Sequence, residues 1–400
     1  MSFDNCLDSL KISVVAPDLS GGGVTRVYIL SQALRKLGCT VEVVGFRYGN
    51  AIYPPPPAGL PVYSIPGNSL PLLFKDTRNL LQHIKGDLVY AVKPRLTSFG
   101  VALLQKVISS RNVLLDIDDW ELSWMGGDDN TYQPTVKQLA RDIFHSNGAL
   151  RSPEHRFYIE QMEKLVSKAD AITVNNRFLQ KRYGGTYLPS GKDTDLFNPS
   201  YYNPSVCRSK YGLSNYKVLM FPGTVRPHKG VEDVLRALDL LEKPELRLVI
   251  VGGRKPDDYE EYLMKKWNKW LIKLPQLPSE KMPEIIAAAH IIVVPQRDTP
   301  ISQAQVPIKL TDGMAMAKPI LSTSVGDIPT TIGDTGYLVA PGDSPAMAYQ
   351  ITEILANPEE AHRRGALARD RCIQHYSIEA MAQALKGVVF PLIASHTSCE

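Results

Sequence analysis

The block QVPIKLTDGMAMAKPILSTSVG, residues 305–326, holds residue types suited to a phosphate and a sugar ring. Pro307 fits a first helical turn, where there is no N–H to lose. A helix starting there exposes amide N–H groups and the positive end of its dipole, which attract an anion. Ile308, Leu310, Met314 and Ala317 form the apolar stripe of that helix, and Asp312, one turn in, can accept hydrogen bonds from a sugar diol. Phosphate at the tip with ribose beside it describes a nucleotide site. The plain alternative is a helix–strand unit of any α/β protein, with Asp312 on its solvated face. A second group, Asp116-Ile117-Asp118-Asp119-Trp120-Glu121, ends an apolar run at Asn112–Ile117 and sets carboxylates where parallel sheets collect their ligands. Such acids can orient or deprotonate a hydroxyl, or simply be a solvated loop. A metal site suits them less, because Asp118 and Asp119 point opposite ways on an extended backbone. A third group, Gly21-Gly22-Gly23, lets backbone approach a ligand closely at a helix start. It is not G-x-G-x-x-G, and Phe46-Arg47 stands where an acid would bind a ribose, which argues against a dinucleotide enzyme.

The elements that must carry these groups alternate. Lys11–Pro17 reads as a buried strand, Val24–Leu37 as a helix capped by Gly38, and Val41–Phe46 as the next strand, a βαβ unit. Strands at 87–92, 112–117 and 171–174 continue the pattern, with helices at 98–109 and 156–168. The proline-dense stretch 51–71 reads as an extended surface loop around one short strand, or as a polyproline ligand, and 126–153 as a polar loop with some helix. The run LPSGKDTDLFNP, 188–199, breaks all periodicity, and the domain boundary is expected just after it, near 200–205. Alternation then resumes: strands at 218–221, 246–251, 291–295, 320–325 and 336–339, and helices at 231–241, 282–289, 345–355 and 377–389. Residues 265–277 mix lysines with Trp267 and Trp270, and read either as a membrane-surface helix or as a strand at 270–274. Two successive Rossmann-like α/β domains facing across a cleft are expected, and such clefts are preferred ligand sites.

Composition narrows the partners. The chain has 400 residues and a net charge of +4, which does not argue for nucleic acid and is compatible with anionic substrates or loose contact with a membrane surface. Cys6, Cys39, Cys207, Cys372 and Cys399 are scattered with no CxxC pair, favouring free thiols over disulfides or zinc. No signal peptide and no run of apolar residues long enough to span a bilayer is read, so a cytoplasmic protein is expected.

Five ordered pieces covering residues 11–390 resemble the family-4 (group 1) retaining glycosyltransferases, which have the GT-B fold. They are GGGVTRVYILSQALRKLGCTVEVV, LPSGKDTDLFNP, GTVRPHKGVEDVLRAL, the VPQ that follows an apolar run, and KLTDGMAMAKPILSTSVGDIP. The resemblance implies an acceptor-side domain over 1–200, a donor domain over 201–375, and a C-terminal helix over 376–400 returning to the first domain. It implies transfer of a hexose-like sugar from a nucleotide diphosphate sugar to a glycan, lipid or small molecule, with neither cofactor nor metal. Lys229 matches the family lysine on the diphosphate, and an ammonium on a flexible stem suits that task. Asp312 takes the place of the acid that holds the ribose, and the N–H groups of Ile308 and Lys309, after Pro307, would meet phosphate. Gly223, Thr224 and Gly253 belong to the donor loops, and Gly22 and Gly23 would approach the diphosphate from the other domain.

This chain also departs from the family pattern. The family arginine five positions before the lysine is Thr224 here, with Arg226 two residues late and able to reach phosphate from another angle. The first acid of the paired motif falls on Ala304, with Lys309 adding charge nearby. The H-D pair of the first domain appears as Asp118-Asp119. Arg226 and Lys229 are therefore expected to stabilise the leaving diphosphate, and Asp118 or Asp119 to serve the acceptor hydroxyl. Phosphorylase or epimerase activity, or binding without turnover, are the rival readings. A cytoplasmic location, free or peripheral to the inner face of a membrane, completes the expectation.

Overall fold

The computed structural model describes residues 10–253 and 257–397. The chain divides into two compact units, one holding the chain up to Gly191 together with the stretch from Ile378, the other Lys192–Ser377. The division falls at Gly191, before the proline- and asparagine-rich run at 200–205 where the sequence suggested it. That run forms short helical elements instead: Asn198, just before it, caps a turn at Pro199–Tyr201, and Asn203 caps the helix Pro204–Lys210.

The first unit is a seven-stranded sheet. Its strands are β1 (Lys11–Ala16), β2 (Thr40–Arg47), β3 (Val62–Pro66), β4 (Leu88–Val92), β5 (Asn112–Ile117), β6 (Ala171–Val174) and β7 (Thr186–Tyr187). The order is β3-β2-β1-β4-β5-β6-β7, and neighbouring strands pair in parallel. The strands are near-continuous apolar runs because helices cover both faces. The sheet's switch point lies between β1 and β4, where chain direction along the sheet reverses, and a crevice opens there at the strand ends. Helix Val24–Lys36 and the last helix, Ile378–Thr397, pack together on the core of Ile12, Val14, Val27, Leu30, Met381 and Leu385.

The second unit repeats the design with six strands. These are β8 (Lys217–Pro222), β9 (Leu246–Val251), β10 (Leu271–Leu274), β11 (Ile291–Val294), β12 (Ile320–Thr323) and β13 (Tyr337–Val339). Their order, β10-β9-β8-β11-β12-β13, puts the switch point between β8 and β11. The segment read as either a membrane-surface helix or a strand is resolved in favour of the strand. Trp267 and Trp270 are buried and donate their indole N–H groups to Asp239, at 2.6 and 2.8 Å, so neither ring is offered to a lipid surface. Among the described residues no helix is long and apolar enough to cross a membrane. Cys39, Cys207 and Cys372 are buried thiols outside any disulfide; Cys6 and Cys399 lie outside the described residues, as does the N-terminal stretch read for a signal peptide.

Candidate functional site

In the second unit the switch point gathers cations. β8 ends in Gly223, and the chain returns through Pro227–Lys229 to Gly230, where the helix Val231–Leu241 begins. Gly230 has φ 67°, and a Cβ there would stand 1.8 Å from the Pro295 carbonyl oxygen, so only glycine lets this turn press on the end of β11. That contact sets Lys229 beside Gln296. Its ammonium donates to the Gln305 Oε1 at 2.9 Å and the Gln296 Oε1 at 3.3 Å. Gln296 is buried, and its Nε2 has no hydrogen-bond partner among the described residues.

Lys309 joins them from the helix Ile308–Ala315. Its ammonium lies 4.6 Å from the centre of the Phe221 ring, and its Cε sits 3.3 Å from where a Cβ on Gly223 would be, so the bare glycine makes room for it. Burial, and then the charge of Lys229, push its pKa down to about 7. Burial, Lys229, Lys309 and Arg226 together push His228 down to about 4, leaving a neutral imidazole near pH 7. These groups therefore share one electrostatic neighbourhood. Pro307 is the N-cap, so the N–H groups of Ile308 and Lys309 precede any intrahelical carbonyl they could donate to.

Other expected donor residues are placed differently. Arg226 is about half exposed and paired with Asp257 at 2.6 Å, while the Thr224 side chain is exposed. Gly253 has φ 83°, and a Cβ there would crowd Lys273 and Glu260, an ion pair with Glu260 nearly fully buried, so this glycine also serves packing. Asp312 does not lie on a solvated face. It is buried, and its Oδ1 pairs with Lys192, whose ammonium also lies 3.8 Å from the centre of the Phe197 ring. Ala304, where the resemblance placed an acid, is buried, and it is the next residue, Gln305, that reaches Lys229.

In the first unit the corresponding edge is a web of paired charges. Asp116 is fully buried and is not a ligand group: Arg26 grips it through both carboxylate oxygens, at 2.9 and 2.7 Å, and Thr173 donates to it at 2.7 Å. Arg26 also donates to Leu188 O and Ser190 Oγ, each at 3.0 Å, tying the helix after the glycine turn to the chain leaving β7. Asp118 and Asp119 lie past the end of β5 at Ile117. Asp118 pairs with Lys93 at 3.1 Å, and Lys93 also reaches Glu121 at 2.6 Å. Lys93 has φ 68°, uncommon for a side-chain-bearing residue, and is held so by its N–H on Asp116 O at 2.8 Å and by Ser98 Oγ on its carbonyl at 2.8 Å.

Asp119 accepts from the Trp124 indole at 2.9 Å, and burial raises its pKa to about 6 despite the nearby Lys93. A carboxylate of that pKa is suited to taking a proton near neutral pH. Asp119, Lys93, Glu121, Trp124, Gly21 and Gly23 line a cavity of about 360 Å³. Gly22 has open space where a Cβ would go. Among the described residues no three or more His, Cys, Asp or Glu side chains are grouped to hold a metal ion.

The sequence reading passed over Lys93, Gln296, Gln305 and Lys192. Lys93 and Gln296 each lie at or just past the end of an apolar strand, the place where a parallel sheet presents ligands. Lys192 lies inside LPSGKDTDLFNP, but its partner is 120 positions away, since 312 minus 192 is 120.

Residues 216–357 match the family model described as glycosyl transferases group 1. Among curated proteins, the GDP-mannose-dependent alpha-(1-6)-phosphatidylinositol monomannoside mannosyltransferase of Mycolicibacterium smegmatis is 25% identical over 234 residues, 54% of this chain and 60% of that protein. The alpha-maltose-1-phosphate synthase of the same organism is 26% identical over 215 residues, 48% of this chain and 53% of that protein. The chain thus spans little more than half the length of these curated relatives. Among solved structures, sucrose-phosphate synthase from Thermosynechococcus elongatus superposes with a TM-score of 0.70 at 21% identity, covering 96% of this chain and 100% of that one. The Anabaena protein HepE in complex with UDP-glucose superposes at 0.70 and 16% identity, covering 95% and 99%.

Proposed function

We propose that this chain, whose residues 216–357 match the group 1 glycosyl transferase model and whose fold is GT-B, transfers a sugar from a nucleotide diphosphate sugar to an acceptor hydroxyl, with retention of configuration. The observation that carries this is the meeting of Lys229, Lys309, Gln296 and the amides of Ile308 and Lys309 at the β8–β11 switch point. As the bond from the anomeric carbon to the diphosphate breaks, negative charge grows on the leaving group. Fixed ammonium and amide donors stabilise such charge more in the transition state than in the ground state.

Lys229 donates to two neutral amides, which keep its ammonium in place. Lys309 gains a proton's charge most readily when an anion lies beside it. Asp312 Oδ2 takes the ribose, with Lys192 fixing the carboxylate from behind. Asp119 accepts the proton of the attacking hydroxyl, and Asp118, Lys93 and Glu121 keep its loop in place. Charge on the leaving group is met by the chain's own cations, so neither a metal nor another cofactor enters this reading. Retention is the course implied by the motif resemblance. HepE has been seen with UDP-glucose, so UDP-sugars are tested first, followed by GDP- and ADP-sugars.

Thermal shift with each nucleotide sugar, then initial rates at saturating donor, tests the proposal, because a ligand that binds the folded form raises its melting point. Lys229→Ala should lose both the shift and the turnover. Wild-type turnover in Lys229→Ala would remove the diphosphate assignment.

A further inference from the structure

A second cavity, of about 470 Å³, lies along the same strand-end edge of the first unit, over β3, β2 and β1. Asp18 lines both it and the Asp119 cavity. So does one ion pair: Arg95 belongs to the Asp119 cavity and Glu154 to its neighbour, with 2.6 Å between their charged ends. The two cavities are thus consecutive compartments sharing a wall, and each is of a size that encloses a small ligand.

The chemistry of the second compartment narrows its occupant. Ser69, Ser146, Asn147 and Ser152 give it neutral donors and acceptors. Its charges, Asp18 and Glu154 against Arg151, include no cationic surplus that would draw a phosphate or carboxylate. Only Tyr48 and Pro153 offer sizeable apolar surface, too little for an acyl chain. Tyr48 is 40% exposed, and its ring lies over Gly67, where a Cβ would be only 2.6 Å away, so the glycine keeps the ring in place. Asp18 is aimed as well. Its Oδ1 accepts from Ser20 N at 2.9 Å and Ser20 Oγ at 2.5 Å, while Oδ2 carries no hydrogen bond among the described residues. An aromatic face, a ring of neutral polar groups and a free carboxylate oxygen suit a polyhydroxylated ligand.

We infer that the acceptor is an oligosaccharide lying across both compartments, its reacting sugar by Asp119 and Trp124 and its next sugars over Asp18 toward Tyr48 and Asn147. The inference rests on the transferase reading and adds the substrate class to it. The distal sugars gain affinity from hydroxyl contacts and from stacking, without touching the reacting atoms.

The test uses the full chain with α-linked gluco- and manno-oligosaccharides of one to four sugars, read by calorimetric binding and by KM in the transfer assay. Binding should tighten at least about tenfold from one sugar to three, a change well within what a few added contacts supply. Tyr48→Ala and Asn147→Ala should shrink that gain to within about twofold. Asn147 lies on an exposed loop, so this variant keeps the test decisive should Tyr48→Ala fail to fold. Monosaccharides binding as well as trisaccharides, a length gain unchanged in the variants, or no oligosaccharide bound at all would each overturn the inference. Donor hydrolysis that depends on Lys229, measured separately, would in those cases leave the transferase reading standing. Its absence, beside intact length-dependent binding, would instead sink the transferase reading alone.

Discussion

The two switch points share a topology and differ in how they treat charge. At the β1–β4 edge Arg26 meets Asp116, Lys93 meets Asp118 and Glu121, and Arg95 meets Glu121 and Glu154. At the β8–β11 edge Lys229 is held by amide oxygens, and Lys309 sits against an aromatic ring with a pKa brought down to about 7. A neutralised edge has little to offer an anion, but it can hold one carboxylate, Asp119, ready for a proton. An edge whose cations repel one another gains when an anion arrives. Fold alone does not assign donor and acceptor sides; in the proposed reading the distribution of charge does.

The sharpest way to break this contrast is Asp119→Asn. Removing a general base should lower kcat/KM by about 10²–10⁴-fold. In the parent the rate should climb as pH rises through about 6, because the carboxylate must be ionised, and this limb should vanish in the variant. Stability should move the other way. The folded pKa lies above the unfolded one, so ionising Asp119 weakens the fold as pH rises from 3.8 toward 6. D119N should therefore melt higher than the parent at pH 7, and a lower melting point there would show that Asp119 is structural.

On the opposite edge, Lys229→Ala should cost about 10²–10³-fold in kcat/KM, the usual loss for one donor to a developing anion. Lys229→Arg should recover part of it if charge is what matters, although a planar fork cannot keep both amide partners. Equal losses in both variants would mean that the contacts to Gln296 and Gln305, not the charge, are what the site needs.

Asp116→Ala tests whether the first edge is as fully neutralised as it looks. It leaves Arg26 buried without its partner and should cost about 3–5 kcal/mol of folding stability, readable by urea unfolding. A loss below about 1 kcal/mol would mean that the pair behaves as a surface one.

How far the sequence carried this picture depended on the kind of information each feature holds. β5 and β9 were legible to the residue because a strand covered on both faces is an unbroken apolar run. The helix Pro358–Tyr376 was passed over: it is rich in arginine and glutamate, and Ala361, Ala368 and Cys372 give only a thin buried stripe. The site residues divide in the same way. Lys229 and the start at Pro307 could be found because a local turn and a local helix define them. The partnerships of Lys192 with Asp312, of Lys93 with Asp118 and of Arg26 with Asp116 join distant positions through strand order, which no local pattern encodes. The left-handed backbone at Lys93 had no signal either, since a lysine gives no hint of positive φ.

The smallest effect bears most directly on the difference between the edges. Lys309 has a folded pKa of about 7 against 10.5 for the free side chain, so the fold gains stability as pH rises from about 7 toward 10.5. A diphosphate beside it favours the charged form and raises the pKa again. Binding of UDP or GDP should therefore take up a fraction of a proton between pH 7.5 and 8, and affinity should weaken as pH climbs further. Calorimetry in two buffers of different ionisation enthalpy reads the uptake directly, as a difference in apparent binding heat. Lys309→Met should bind nucleotide with no such difference. Asp119→Asn should leave it intact, because the acid at the other edge has no share in holding the anion. Uptake that survives Lys309→Met and disappears in Asp119→Asn would reverse the assignment of the two edges.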